Sequence, residues 1–365
     1  MKRLLLVGAG HAHLEILRRQ ILEPLRVELT VVSLGSLHHY SGMVPGYLQG
    51  TYREEEIAVR ILDLVARAGG TLLEGRATAV DPRAKQVRLE DGREVPYDLV
   101  SFAVGSNTVG IDDPGVAGEA QRIKPLERAV TLRERLTREE GPATVVGGGA
   151  AGVEIALAIA AVFEKARRAH RIAILESGEE ILSGYEERFR KRARAILEDR
   201  GIEVRTGRRV LAVHPEEVEM EGDLRVPSRL TVWLTGAVAW PLFRDSGLPL
   251  DDRDFLLTDD ALRSVAAPGI FAVGDCGTLA SHPETPKAGV YAVREAPVLW
   301  ESLKAAVEGG EPPRYEPQER FLSILNTGDG RALLDYKGIV SHSRWAWRLK
   351  DAIDRHFMAR YQELI

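Results

Sequence analysis

The residues with the clearest chemistry lie between Ala143 and Glu176. A β-branched run, Ala143-Thr-Val-Val146, leads into Gly147-Gly-Gly149-Ala-Ala-Gly152, and Val153 to Val162 then continues as an Ala/Ile/Leu-rich helical pattern. A second apolar run, Arg171-Ile-Ala-Ile-Leu175, ends in Glu176. Strand, glycine turn, helix, strand and acid in this order can hold a diphosphate on main-chain N–H groups at a helix N-terminus. Gly147 allows the tight turn, Gly149 the close approach of the pyrophosphate, and Gly152 the packing of helix on strand. A carboxylate at Glu176 accepts from a ribose 2′-hydroxyl and repels a 2′-phosphate, so NAD(H) is expected rather than NADP(H).

The chain opens on the same pattern. Lys2 to Val7 reads as a strand, Gly8-Ala-Gly10-His-Ala-His13 as a turn, Leu14 to Leu22 as a helix and Val27 to Val32 as the next strand. His13 stands where the third glycine would be and should hold the helix slightly farther from the strand. Ser33 stands where an acid would be and makes a weaker ribose contact. The position at the extreme N-terminus points to a dinucleotide site of FAD type. His11, His13, His38 and His39 have no Cys or acid at ligand spacing, so they read as loop and packing residues and no metal site is expected.

Two such motifs, with strand-rich chain before, between and after them, suggest one domain inserted in another. The fold class expected is α/β, with two Rossmann-like dinucleotide-binding domains, the NAD domain inserted in the FAD domain, and a small C-terminal α+β region. The boundaries expected are 1–110 and 236–310 for the FAD-binding domain, 111–235 for the NAD(H)-binding domain, and 311–365 for the C-terminal region. Leu126 to Arg138 reads as a helix, and 188–200 as an Arg-rich helix with a solvated face.

Composition bounds the rest. At 365 residues, 44% hydrophobic and 28% charged, the chain can build a real core, and a net charge of −5 gives no argument for nucleic acid. No apolar run reaches the length of a membrane span, and the N-terminus runs straight into a strand without a signal peptide, so a cytoplasmic location is expected. The one cysteine, Cys276, excludes an intrachain disulfide. Two Asn, four Met and many Arg and Glu match a thermophile's usage, a bias that a GC-rich genome also produces.

Gly8-Ala-Gly10, Ala103-Val104-Gly105, Gly147-x-Gly149-x-x-Gly152, Leu234-Thr-Gly236 and Gly269-Ile-Phe-Ala-Val-Gly274-Asp275 occur in the order of the two-dinucleotide-binding-domain flavoproteins. The chain resembles that pyridine nucleotide-disulfide oxidoreductase superfamily over nearly its whole length. Within it the chain looks like type II NADH dehydrogenases and sulfide:quinone oxidoreductases. It is closer still to the flavoprotein found joined to or beside selenide, water dikinase, through His11-Ala12-His13, Tyr40-Ser-Gly-Met-Val-Pro-Gly46, Pro286-Lys-Ala-Gly-Val-Tyr-Ala-Val-Arg294 and Trp345-Ala-Trp347. The missing cysteine pair departs from the relatives' disulfide and sulfide chemistry and leaves direct transfer from NADH through flavin to an acceptor.

The resemblance implies FAD and NAD(H) as cofactors. It places Gly8, Gly10, His11, Ala12, His13, Ser33, Ala77, Ala103, Val104, Gly105, Gly274, Asp275 and Ala288 on FAD, with Asp275 on the ribityl hydroxyls. Ser41, Gly42 and Met43 run along the isoalloxazine ring, although Met43 also reads as core. The helix after Pro286 points at the flavin's pyrimidine edge, where its dipole and Lys287 stabilise negative charge; Lys287 alternatively reads as a surface lysine. Glu154 lies beside the nicotinamide, or is only an acid complementing a helix N-terminus. Gly236 closes the NAD site.

After Pro312-Pro313, Asn326-Thr-Gly-Asp-Gly330 reads as a hairpin turn, and Arg344 to Tyr361 as a helix with Trp345, Leu349, Ile353 and Phe357 at a spacing of four. Five Arg/Lys against two Asp make it basic. It either lies on an anionic membrane at the inner face of the cell membrane, next to a quinone, or packs on the protein body or on a second subunit of a homodimer. The leading function is an NADH oxidoreductase passing two electrons to a quinone-like acceptor. The alternatives are a flavoprotein partner of selenium metabolism and a reductase of a small redox protein.

Overall fold

The computed structural model describes every residue except Glu127 and Glu319. Its first unit is β1 (Lys2–Val7), α1 (His11–Leu22) and β2 (Val27–Ser33), the two strands running parallel from Lys2 opposite Val27 to Val7 opposite Val32. The last four residues of β1 are buried, as a strand covered on both faces requires. β3 (Thr71–Glu74) adds beyond β2, and β4 (Leu99–Phe102) adds on the other side of β1. The order β4-β1-β2-β3 therefore reverses at β1, which opens a crevice beyond the strands' C-terminal ends. Gly8 to Gly10 and Ala103 to Gly105 leave their strands at that crevice.

Asn107–Thr108 pairs antiparallel with Ala237–Val238, and the chain crosses into and out of the inserted domain at this ribbon. That domain holds β5 (Ala120–Arg122), α2 (Arg128–Arg138), β6 (Ala143–Val146), α3 (Ala150–Lys165), β7 (Ile172–Leu175), β8 (Ile202–Arg205) and β9 (Leu230–Trp233). Its sheet is parallel in the order β5-β9-β6-β7-β8. The Arg-rich helix, Glu187–Asp199, buries Phe189, Ala193, Ile196 and Leu197 and turns its charges outward. β10 (Ala267–Ala272) then rejoins the first sheet beside β4, and α4 (Gly289–Glu308) packs along α1 with Leu299, Trp300 and Leu303 fully buried. The α/β class with two Rossmann-like sheets is as the sequence implied.

The C-terminal region has one more strand than the hairpin read from sequence. β11 (Ser323–Asn326), β12 (Ala332–Tyr336) and β13 (Ile339–Ser343) form an antiparallel sheet, and α5 (Arg344–Gln362) follows directly, capped by the Ser343 hydroxyl. The apolar stripe expected on α5 does not stay on one face. A spacing of four turns about 40° farther than whole helical turns at each step. Phe357 consequently points inward while Trp345 and Ile353 are 63% and 42% exposed. The inward face is Ala346, Lys350, Asp354, Phe357, Met358 and Tyr361. No helix among the described residues is long and apolar enough to cross a membrane.

Candidate active site

In the inserted domain each glycine has a separate reason. Gly147 has φ +114°, and a Cβ there would strike the Leu234 carbonyl. A Cβ on Gly152 would strike the carbonyl of Gly147, so the third glycine permits the helix–strand contact. Gly149 is the N-cap of α3 and faces open space, where a phosphate can approach the first-turn amides. Glu176 directly follows β7 and accepts from the N–H of Gly148 (2.6 Å) and of Gly178 (2.7 Å). Gly236 accepts from Val109 N–H beside the interdomain ribbon.

The first glycine turn solves the third position differently. Nδ1 of the buried His13 lies 2.5 Å from the Gly8 carbonyl, and Nε2 lies 2.8 Å from Ser101 Oγ on β4. A carbonyl only accepts, so Nδ1 carries the proton and Nε2 takes the serine's. Burial pushes the ring down to about 4, keeping it neutral. Its role is therefore to join α1 to β4, and it does not line the cleft: the expected cofactor contact is corrected to a structural one.

A cavity of about 1100 Å³ fills the crevice. Gly8, Gly10, His11, Ala12, Ser33, Ser41, Ala77, Ala103, Val104, Gly105, Gly274, Asp275, Lys287 and Ala288 all line it. Besides His13, two further expected flavin contacts do not. Met43 is fully buried in the core, and Gly42 is glycine because a Cβ would lie 2.8 Å from the Tyr40 ring; its carbonyl accepts from Lys350 Nζ at 2.8 Å.

Asp275 Oδ2 accepts from Ser106 Oγ (2.7 Å) and Lys124 Nζ (3.3 Å). Neither partner was legible in the sequence, because Lys124 comes from the inserted domain and belongs to no motif. The turn before Asp275 is fixed from behind by Glu295 of α4, which accepts from Gly274 N–H at 2.5 Å and is pushed up to about 7 by burial. The N-cap of α4, Ala288, makes no side-chain cap, so the helix presents uncapped first-turn amides at the cleft. Lys287 does not complement them. Its ammonium donates to the Gly277 carbonyl and to Thr278 Oγ1 (2.8 Å) and lies 4.3 Å over the Phe255 ring, so the expected catalytic lysine is an anchor of the strand behind.

Glu154, half-buried in the first turns of α3, accepts from Asn326 N–H at 2.7 Å. Burial pushes it up to about 7, against the pull of Lys350 and of that N–H. Lys350 pairs with Asp354 at 2.8 Å, and Asp354 lies against Tyr40. α5 thus anchors the loop beside the flavin cleft through Lys350 and the Gly42 carbonyl, while the NAD helix is tied to the C-terminal sheet at Asn326.

The family model described as pyridine nucleotide-disulphide oxidoreductase matches residues 2–296. The chain belongs to this family. Demethylphylloquinone reductase of Synechocystis is 31% identical over 290 residues, covering 75% of this chain and 71% of that protein. A probable NADH dehydrogenase of Dictyostelium discoideum is 26% identical, covering 94% and 84%. Against an external alternative NAD(P)H-ubiquinone oxidoreductase of Arabidopsis thaliana, 25% identical, the chain spans only 54% of the relative's length. The sulfide:quinone oxidoreductase of Aquifex aeolicus superposes with a TM-score of 0.84 at 18% identity, covering 100% of this chain and 92% of the other. NDH2 of Plasmodium falciparum in complex with NADH gives 0.80 at 16% identity, covering 100% and 99%. These superpositions establish the shared fold.

As a member of the family the chain is an NADH-linked oxidoreductase whose cofactors are FAD and NAD(H). The geometry fits both. Cβ atoms on Gly8 and Gly10 would lie 2.5 and 2.6 Å from the Ala103 carbonyl, so the first cradle exists only with glycine. Asp275 supplies an acceptor for sugar hydroxyls, and the uncapped end of α4 supplies donors for a ring edge that gains negative charge.

Proposed function

We propose that this protein is an FAD-dependent NADH dehydrogenase that passes two electrons to a quinone. When bound, FAD accepts a hydride from NADH and releases the electrons to the acceptor. Glu176 selects NADH by its ribose, Glu154 orients the nicotinamide, and Asp275 with Lys124 and Ser106 holds the ribityl chain. Catalysis by the protein is then mainly placement.

The observation that carries the reading is the state of the one cysteine. Cys276 is buried, its thiol 3.2 Å from the carbonyls of Phe102 and Val273, and burial pushes it up to about 11. A lone protonated thiol cannot relay electrons as a disulfide, so they leave the flavin directly. The quinone-acting relatives support a quinone as the acceptor. Exposed Tyr336, Ile339, Trp345 and Ile353, with exposed Lys337, Arg344 and Arg348 nearby, support contact between the C-terminal region and an anionic membrane that holds it.

The closer resemblance through His11-Ala12-His13 and Tyr40 to Gly46 supports a second reading, a partner role in selenium metabolism. Both are tested by reducing the purified protein with NADH and offering a quinone in anionic vesicles, a soluble quinone and an iron–sulfur protein. Fast reoxidation by quinone, faster in vesicles, is expected. Reoxidation only by the iron–sulfur protein would replace the quinone. No reoxidation by any of the three, together with a stable complex with selenide, water dikinase, would favour the second reading.

A further inference from the structure

Lining the cofactor cleft does not account for the imidazole of His11. The residue begins α1, and its Nε2 is buried with no hydrogen-bond partner among the described residues. Its Cε1 lies 3.9 Å from where a Cβ on Gly289 would sit, so this edge of the ring faces the head of α4. The His38 ring stands edge-on to it at 5.1 Å, and Tyr40 and Phe357 close the other sides at 5.4 and 5.9 Å. His38 Nε2 is also buried and unpartnered among the described residues. Two imidazoles with orphaned nitrogens at one end of a cofactor cleft need a reason.

The charges around them supply it. Reduction by a hydride brings two electrons and one proton, which leaves one negative charge on the cofactor. Lys287, though it lines the cleft, spends two of its three donors on Gly277 and Thr278. The other titratable groups around His11 are His38, with His39 next to it and turned to Glu54, Tyr40 with Asp354 behind it, and Asp275 across the cleft. The head of α4, which the Cε1 edge of His11 faces, is where a ring edge that gains negative charge would be held, and an imidazole beside such a charge gains affinity for a proton.

We propose that His11 takes one proton from solvent when the flavin is reduced and gives it up when the electrons leave. Burial holds the ring down to about 4 before reduction, with Asp275 pulling the other way, so it starts neutral. His38 is held well below its ordinary value by burial and by its two histidine neighbours, and with the two rings 5.1 Å apart a charge on His11 opposes a second on His38, so the pair takes a single proton. The balance closes. NADH and FAD give NAD⁺ and the reduced cofactor with one negative charge, while His11 and H⁺ give the imidazolium. A quinone then receives two electrons, the hydride's proton and the imidazolium's proton, becoming a quinol and restoring both FAD and neutral His11.

The inference rests on the FAD and quinone reading, and the experiment separates the two. Holoprotein in weak buffer near neutral pH is reduced anaerobically with NADH while an indicator dye counts protons. Uptake of one proton per flavin is expected for the native protein and none for His11→Gln. The midpoint potential should fall with pH twice as steeply in the native protein as in the variant. Uptake unchanged in His11→Gln would put the proton on the flavin or elsewhere and overturn the proposal, as would no uptake in the native protein. If His11→Gln fails to hold FAD, the His11 Cε1–H resonance of the native holoprotein decides: its titration must move up on reduction, and a fixed titration refutes the role. A native protein that binds no FAD would instead refute the reading beneath.

Discussion

The carboxylate of Glu154 accepts the main-chain N–H of Asn326 at 2.7 Å, a bond between residues 172 apart in the chain. It joins the first turns of the nucleotide helix to the C-terminal sheet, so an acid at a helix start also becomes a domain contact. In Glu154→Gln the side-chain oxygen can keep that bond while the charge facing Lys350 is lost. Flavin reduction by NADH should slow about tenfold or more, about 1.4 kcal/mol of transition-state stabilisation, with FAD retained. Because burial lifts Glu154 to about 7, the native rate should change across neutral pH and the variant's should not. An unchanged rate with a lowered melting temperature would leave Glu154 a structural acid.

Glu176 already accepts two N–H groups of the turns around it. Its fixed carboxylate should repel a 2′-phosphate, giving NADH at least about a tenfold advantage over NADPH in kcat/KM. Glu176→Ala should narrow that ratio. Equal kcat/KM for the two nucleotides in the native protein would remove Glu176 from the ribose.

Lys350 is buried and serves Asp354 and the Gly42 carbonyl at once. Lys350→Met leaves Asp354 buried without its partner and should cost about 3–5 kcal/mol by denaturant unfolding. Adding Asp354→Leu should recover much of the loss. A single variant as stable as the native protein would show that the pair is not needed to hold α5 down.

Glu295 gives a pH prediction with a definite sign. Its folded value is lifted from 4.5 to about 7 by burial, so the folded state binds the proton more tightly than the unfolded one. The native protein should therefore lose stability from this group as pH rises from about 4.5 to about 7, and Glu295→Gln should not. The melting temperature of the variant minus that of the native protein should grow over this window. A difference that is flat with pH would mean that Glu295 titrates as in the unfolded chain.

Both nucleotide folds were legible because glycine turns between apolar runs are local signals, and Asp275 was legible as the end of such a run. His13 shows the limit. Its substitution for a third glycine was visible, but the Gly8–His13–Ser101 bonding needs β4, which arrives 88 residues later. Lys124, Glu295 and Lys350 were silent for the same reason: each reaches the site from another element and no spacing marks it. Lys287 was misread because a lysine before a helix start has several partners within reach, and Thr278 and Gly277 won. The stripe on α5 failed because a constant spacing of four drifts around a helix.

In the proposed reaction electrons pass from NADH to a bound flavin with no enzymic thiol between them. Anaerobic stopped-flow mixing of the FAD-loaded protein with NADH tests it most directly. The visible flavin absorption should bleach in a single turnover, equally in the native protein and in Cys276→Ser, and return when a quinone is added. A flavin that stays oxidised in the presence of excess NADH, while FAD remains bound, would rule out this electron path.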